Sequence, residues 1–317
     1  MAIITPKLSP DFKVLDIEPI ATDLFFTESP RYRDGYLYVS DMLAKKIWKI
    51  DPVAKTKEVL IEVPNQPNGS GFLSDGTFVV GSMFDACIYQ IKDINHPKLE
   101  LYKDLKPLMT GYTGDMLIDA DDNIYMDDVG ARLHHGEAFK PGRLIKVTPE
   151  KEMMSVAEDL YFPNGIVLDN KGEHLYIGET HSKLITVFDF DKGRLSNRQV
   201  WLNNFDCIQF DVEGDGVEQP RTDGLCIDAE DAIWCSFFSS GVFLRITQEG
   251  LITHRVNVDG EATTVMLGGE DGKTLFFGSN AMPRGKDENV YENMNQGKSI
   301  GTIYMSRAEI GRGTGRP

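Results

Sequence analysis

One pattern returns six times along the chain: a loop, a short apolar strand, a tight acidic or glycine turn, and then a stronger strand. The second strands read YVSD at Tyr38, VVGS at Val79, YMDD at Tyr125, YIGE at Tyr176, WCSF at Trp234 and FFGS at Phe276. The anchors lie roughly 40 to 60 residues apart, the spacing of a β-propeller blade plus loop insertions. The expected architecture is therefore all-β: a six-bladed β-propeller with four antiparallel strands per blade, forming a single domain over residues 1–317. A propeller brings the same corner of every blade to one axis, so residues distant in sequence become neighbours.

The fourth repeat is the clearest. Gly165 to Asp169 reads as an inner strand, Asn170-Lys171-Gly172 as a turn, His174 to Gly178 as the second strand and Leu184 to Phe190 as the third. The sixth repeat has strands near Val265, Phe276 and Ile303 but no fourth before the chain reaches Gly-Arg-Gly-Thr-Gly-Arg-Pro. An N-terminal strand is expected to complete it, with the alternating segment Phe12 to Ile17 as the candidate, closing the ring and removing an exposed edge. Two long loops, Asp127 to about Gly142 and Ser279 to about Ser299, emerge on the same rim, where long loops build pockets and lids.

A net charge of −16 supplies no basic stripe to replace phosphate counterions, which argues against a nucleic-acid partner. No run of about 18 apolar residues suggests a membrane span. Met1 to Asp23 lacks a signal-peptide core, and Cys87, Cys207, Cys226 and Cys235 show no CxxC spacing. Four reduced thiols in a cytoplasmic protein are expected. The acidic-glycine stretch Asp211 to Gly216 lacks a full EF-hand pattern and reads as a turn-rich connector. There is no GxSxG, Walker or HExxH motif.

Counting back from each second strand gives the residue that begins each inner strand: Glu28, Asn68, Gly114, Asn164, Asp223 and Thr264. All but the glycine carry an oxygen donor. Two carboxylates meeting on one axis would take up protons unless a cation sat between them. A hard divalent ion suits such a set: Ca²⁺ first, with Mg²⁺, Mn²⁺ or Zn²⁺ as alternatives.

Three segments carry a likeness to a known family: Glu28-Ser29-Pro30; Pro163-Asn164-Gly165 with Tyr176-Ile177-Gly178-Glu179; and Asp223 to Asp228 with Trp234. Together they resemble the senescence marker protein/gluconolactonase/luciferin-regenerating family over nearly the whole chain. The resemblance implies a six-bladed propeller with one catalytic divalent metal on its axis and a lactone-hydrolysing activity. It also implies that Glu28, Asn164 and Asp223 are the metal ligands, with Asp223 also the general base or nucleophile. Where many members carry Asn-Asp this chain has Gly114-Asp115, leaving a water or substrate oxygen to take that place, with Asn68 as a further ring donor.

The expected reaction is metal-polarised attack of water on a cyclic ester, assisted by Asp223. His134 or His135, or His181 on the same rim, is a candidate proton-transfer helper. Asn68, Tyr112, Asp115 and Phe237 are expected to contact the substrate, a small molecule. Met83, Phe84, Tyr112, Phe162, Phe237 and Phe238 suggest an apolar wall, hence a substrate more hydrophobic than a free sugar lactone. The competing readings are a phosphotriesterase at the same metal, a non-hydrolytic propeller enzyme, and a non-catalytic small-molecule-binding propeller.

Overall fold

The computed structural model describes residues 3–210, 221–238, 240–283 and 288–317; the connector Asp211 to Gly216 lies outside the described residues. The protein is a six-bladed β-propeller. The inner strands are Thr27–Arg33, Pro67–Phe72, Thr113–Ile118, Pro163–Leu168, Thr222–Ile227 and Glu261–Gly268. Each neighbours the next in chain order, and the sixth meets the first. The second strands are buried along nearly their whole length, and Phe78–Ser82, Ile124–Asp128 and Ile233–Phe237 throughout. Covered by a blade on either face, they read as unbroken apolar runs, which makes them the strongest signal in the sequence. Cys87, Cys207, Cys226 and Cys235 are all buried free thiols. No helix among the described residues is long and apolar enough to cross a membrane.

An N-terminal strand does complete the last blade, but it is Glu18–Leu24, pairing antiparallel with Ile300–Arg307. The expected segment, Phe12 to Ile17, is divided between two other tasks. Phe12 belongs to the strand Lys7–Val14, which adds parallel to Leu251–Asn257 as a fifth strand on blade five, and packs on the core there. Leu15 and Ile17 pack on the cluster between blades five and six. Alternation marked an extended segment correctly; it did not say which edge the segment would join.

Every inner strand carries one bulge just after it begins: between Glu28 and Arg31, Pro67 and Ser70, Thr113 and Met116, Pro163 and Ile166, Thr222 and Leu225, and Ala262 and Thr264. A bulge re-aims a side chain, and here it turns the ring residues towards the axis. Three of the residues that follow are glycines, because the next blade's backbone leaves no room. A Cβ on Gly69 would lie 2.6 Å from Gly114 O, on Gly165 2.4 Å from Leu225 N, and on Gly224 2.7 Å from Thr263 O. The register also corrects one ring position. Ala262 opposes Ser279 as Thr222 opposes Phe237, so blade six contributes Thr263 and not Thr264. Met266 pairs with Phe276 where blade four pairs Val167 with Tyr176, a hairpin one residue longer that shifts the count.

The acids that end three second strands hold the loops leading to the axis. Asp41 accepts the Phe25 and Phe26 amides, Asp128 those of Thr110 and Gly111, and Glu179 that of Tyr161. YVSD, YMDD and YIGE thus end in structural carboxylates.

Candidate active site

The bulges place Glu28, Asn68, Gly114, Asn164 and Asp223 on the floor of one cavity of about 110 Å³. The wall rises in two tiers. The residue two before the ring supplies Phe26, Tyr112, Phe162 and Arg221. The residue just after the second strand of blades one to five supplies Met42, Met83, Val129, Thr180 and Phe238, whose amides donate to the carbonyls of Phe26, Gln66, Tyr112, Phe162 and Arg221. Phe26, Met42, Met83, Tyr112, Val129 and Met294 form one buried apolar cluster.

The two long loops do meet over this floor. One contributes the short turn Leu133–His135 and the other the helix Val290–Asn295, and Leu133, His134, Val290, Tyr291 and Met294 join the lining beside Thr113, Pro163 and His181. His134 packs edge-on against Tyr291 at 5.0 Å, and Asn295 Nδ2 donates to the His134 carbonyl at 2.9 Å. That bond fixes the Asn295 amide, so its Oδ1, 3.4 Å from His134 Nδ1, accepts. The imidazole therefore holds its proton on Nδ1 and offers Nε2 as an acceptor.

Burial drives the electrostatics. Glu28 is pushed well above the usual carboxylate range by desolvation and then by the charges of Asp223 and Asp115, against one lowering contact with the Ser29 amide. Asp223 is raised by burial and then by Asp115, and lowered by the hydrogen bond from Asn164. Asn164 Nδ2 also faces Thr180 Oγ1 at 3.5 Å, and that hydroxyl donates to Thr222 O at 2.8 Å, which orients the carboxamide. Burial lowers His134 and His181 to about 4, so both are neutral at pH 7 and less basic than expected for a proton-transfer helper.

The other candidates lie apart from the lining. Asp115 sits below the ring, 3.8 Å from Arg31, whose guanidinium is spent on the Pro30 and Met116 carbonyls. His135 stands behind the wall, its Nδ1 on the Tyr112 hydroxyl, with Phe84 tilted against the Tyr112 ring and edge-on to the imidazole. Phe237 is fully buried in the core of blades four and five, and the next residue, Phe238, lines the cavity instead. Among the described residues no three His, Cys, Asp or Glu side chains are grouped to hold a metal. The ring offers two carboxylates and two carboxamides.

The family model described as SMP-30/Gluconolactonase/LRE-like region matches residues 26–281, which includes every ring residue. The chain belongs to this family. Among its relatives is 6-deoxy-6-sulfogluconolactonase of Pseudomonas putida, 25% identical over 266 residues, 81% of this chain and 83% of the relative. Regucalcin of Danio rerio is 24% identical over 267 residues, 80% of this chain and 82% of the relative. Of solved structures, a luciferin-regenerating enzyme superposes with a TM-score of 0.76 at 18% identity, covering 94% of this chain and 97% of its own. A calcium-binding regucalcin from Agrobacterium tumefaciens gives 0.73 at 17% identity, covering 99% of both chains. At these identities the superpositions speak for the fold. The wall of this chain carries methionine and aromatic side chains at most positions above the floor.

Proposed function

We propose that the protein hydrolyses lactones, with Glu28, Asn164 and Asp223 holding one divalent cation, Ca²⁺ before Mg²⁺, Mn²⁺ or Zn²⁺. The observation that carries this reading is the meeting of Glu28 and Asp223 on the floor of an apolar cavity beside two carboxamides: both carboxylates are raised by burial, Glu28 further by the charge of Asp223 and Asp223 further by that of Asp115. Their donors are all oxygen, which fits a hard ion better than a thiophilic one. When bound, such a cation would polarise the substrate carbonyl and stabilise negative charge on its oxygen.

The chain's own groups do the rest. Asp223, oriented by Asn164, takes a proton from the attacking water as the water oxygen bonds to the carbonyl carbon. The ring C–O bond then breaks, the proton passes to the departing alkoxide, and a hydroxy acid results. His134, neutral and with Nε2 as acceptor, holds a substrate hydroxyl or water. A polyhydroxylated sugar lactone would leave hydroxyls unpaired against Phe26, Met42, Met83, Phe162, Phe238 and Met294. The favoured substrate is thus a lactone with an apolar substituent, and methionine supplies a surface that adapts to its shape.

The test is hydrolysis of sugar, alkyl and aromatic lactones after chelation and after restoring each metal. Activity on apolar lactones should vanish with chelator and return with one ion. Glu28→Gln or Asp223→Asn should lower kcat/KM at least about 10²-fold. Full activity in either variant would refute the assignment, and turnover of phosphotriesters alone would move the chemistry to that class.

A further inference from the structure

Blade three breaks the rule of the other five. Opposite each ring residue or its bulge, the second strand carries a small side chain: Ser40 pairs with Glu28, Gly81 lies opposite the bulge at Asn68, Gly178 that at Asn164, Ser236 that at Asp223, and Gly278 pairs with Thr264 beside Thr263. In blade three the arrangement is inverted. The ring position is Gly114 and the residue opposite is Asp127.

The inversion is steric as well as chemical. A Cβ built on Gly114 would lie 2.3 Å from Asp127 Oδ1 and 2.8 Å from Oδ2, so the carboxylate fills the space where a ring side chain would start. Asp127 is fully buried. Its Oδ2 accepts the Asp115 amide at 2.9 Å and the Gly114 amide also faces the carboxylate, while Oδ1 has no hydrogen-bond partner of good geometry. A buried carboxylate oxygen without a donor is costly and calls for a compensating positive group. The nearby cation, Arg31, is committed to two carbonyls and approaches Asp115 instead. Nor does Asp127 share the capping task of its neighbour Asp128, which matches Asp41 and Glu179 in the repeat.

We propose that Asp127 is blade three's contribution to the axial cation site, its carboxylate reaching the ring through the gap that Gly114 leaves. The inference rests on the reading of the ring as a cation site, and it adds a third carboxylate to Glu28 and Asp223; no three acidic side chains are grouped among the described residues, so the cation itself would draw Asp127 in from behind Gly114. Blades two and four use a carboxamide on the inner strand backed by glycine; blade three uses a carboxylate on the second strand fronted by glycine.

Calcium titration calorimetry on chelator-stripped protein tests this without recourse to turnover, with circular dichroism and melting temperature as fold controls. Asp127→Asn should weaken Ca²⁺ binding about 10- to 100-fold. Gly114→Ala should weaken it as much, because its methyl group displaces the carboxylate. The double variant Gly114→Asn/Asp127→Gly installs the arrangement of blades two and four, and should recover affinity to within a few-fold of wild type. It also keeps the test informative if Asp127→Asn folds poorly. Asp127→Asn binding within twofold of wild type while Glu28→Gln abolishes binding would overturn the role of Asp127, as would a double variant no better than Gly114→Ala. Wild-type affinity in Glu28→Gln would overturn the ring reading itself, and this inference with it.

Discussion

At one end of the axial channel the buried carboxylates face one another; at the other they are turned back onto their own chain. Where the inner strands leave the axis, Asp119 accepts the Asp121 and Asn123 amides, Asp169 that of Glu173, and Asp228 those of Glu230 and Ala232. The segment 311–316 lies across these turns: Arg316 exchanges backbone hydrogen bonds with Leu168, Ala229 N donates to Gly311 O, and Thr314 donates to Asn170 O. Burial raises Asp228 even so, against the pull of Arg245 and its amides; at the ring end burial raises Glu28, Asp223 and Asp127 well above the usual range, with neighbouring carboxylates adding to the rise. The same residue type serves structure where local amides satisfy it and marks a ligand site where they do not.

Glycine substitutions should separate the two ends most sharply. Gly165→Ala would press a methyl group to 2.4 Å from Leu225 N, backbone against backbone between blades four and five. It should cost about 3 kcal/mol and disrupt the floor, with cation binding and turnover lost together. At the far end, a Cβ on Gly313 would meet Asn170 Oδ1 at 2.0 Å and Ala229 Cα at 2.9 Å, but the segment there can lift away. Gly313→Ala should cost only about 1 kcal/mol and leave kcat and KM unchanged. Urea unfolding and lactone turnover on both variants decide the matter; a silent Gly165→Ala, or lost turnover in Gly313→Ala, would break the distinction.

How much of this was visible in the residues depends on how far the repeat carries. The second strands and five ring positions followed from spacing alone, because a doubly covered strand has an unmistakable composition. The wall was half legible. Residues two before the ring and those just after the second strands recur in register, yet unequal loops hide that register until the pairing fixes it. Sequence alone puts both Phe237 and Phe238 on the wall, with Phe237 at the substrate, for that reason: neighbours on a strand face opposite ways, and one residue decides between core and cavity. Leu133, Val290, Tyr291 and Met294 were beyond reach, since nothing local says that two loops far apart in sequence will pack together. Asp127 was hidden in plain view, because YMDD reads like YVSD with one acid too many.

The wall offers a smaller effect. Phe162→Ala and Met294→Ala each remove an apolar side chain from the lining without touching a ring oxygen. Each should raise KM for alkyl or aromatic lactones about tenfold, leave kcat within about twofold, and scarcely change a sugar lactone. Equal losses on both substrate types would mean that these side chains support the floor and do not select the substrate.

The smallest expected effect lies at the rim and concerns pH. His181 stacks on Phe162 at 4.8 Å and also touches Phe139, and burial, then Arg221 and Lys183, lower it to about 4 from the ordinary histidine value of 6.5. Between those values the unfolded chain binds a proton that the folded chain refuses. Stability therefore falls as pH drops from 6.5 towards 4, and this contribution is fully present above 6.5. His181→Phe keeps the stacking and removes the proton, so the stability lost between pH 7 and pH 5 should shrink while stability at pH 7 changes little. Urea unfolding at the two pH values measures it. An unchanged difference would mean that water reaches the imidazole despite its stacked neighbours, and the wall would then be wetter at its rim than its residues suggest.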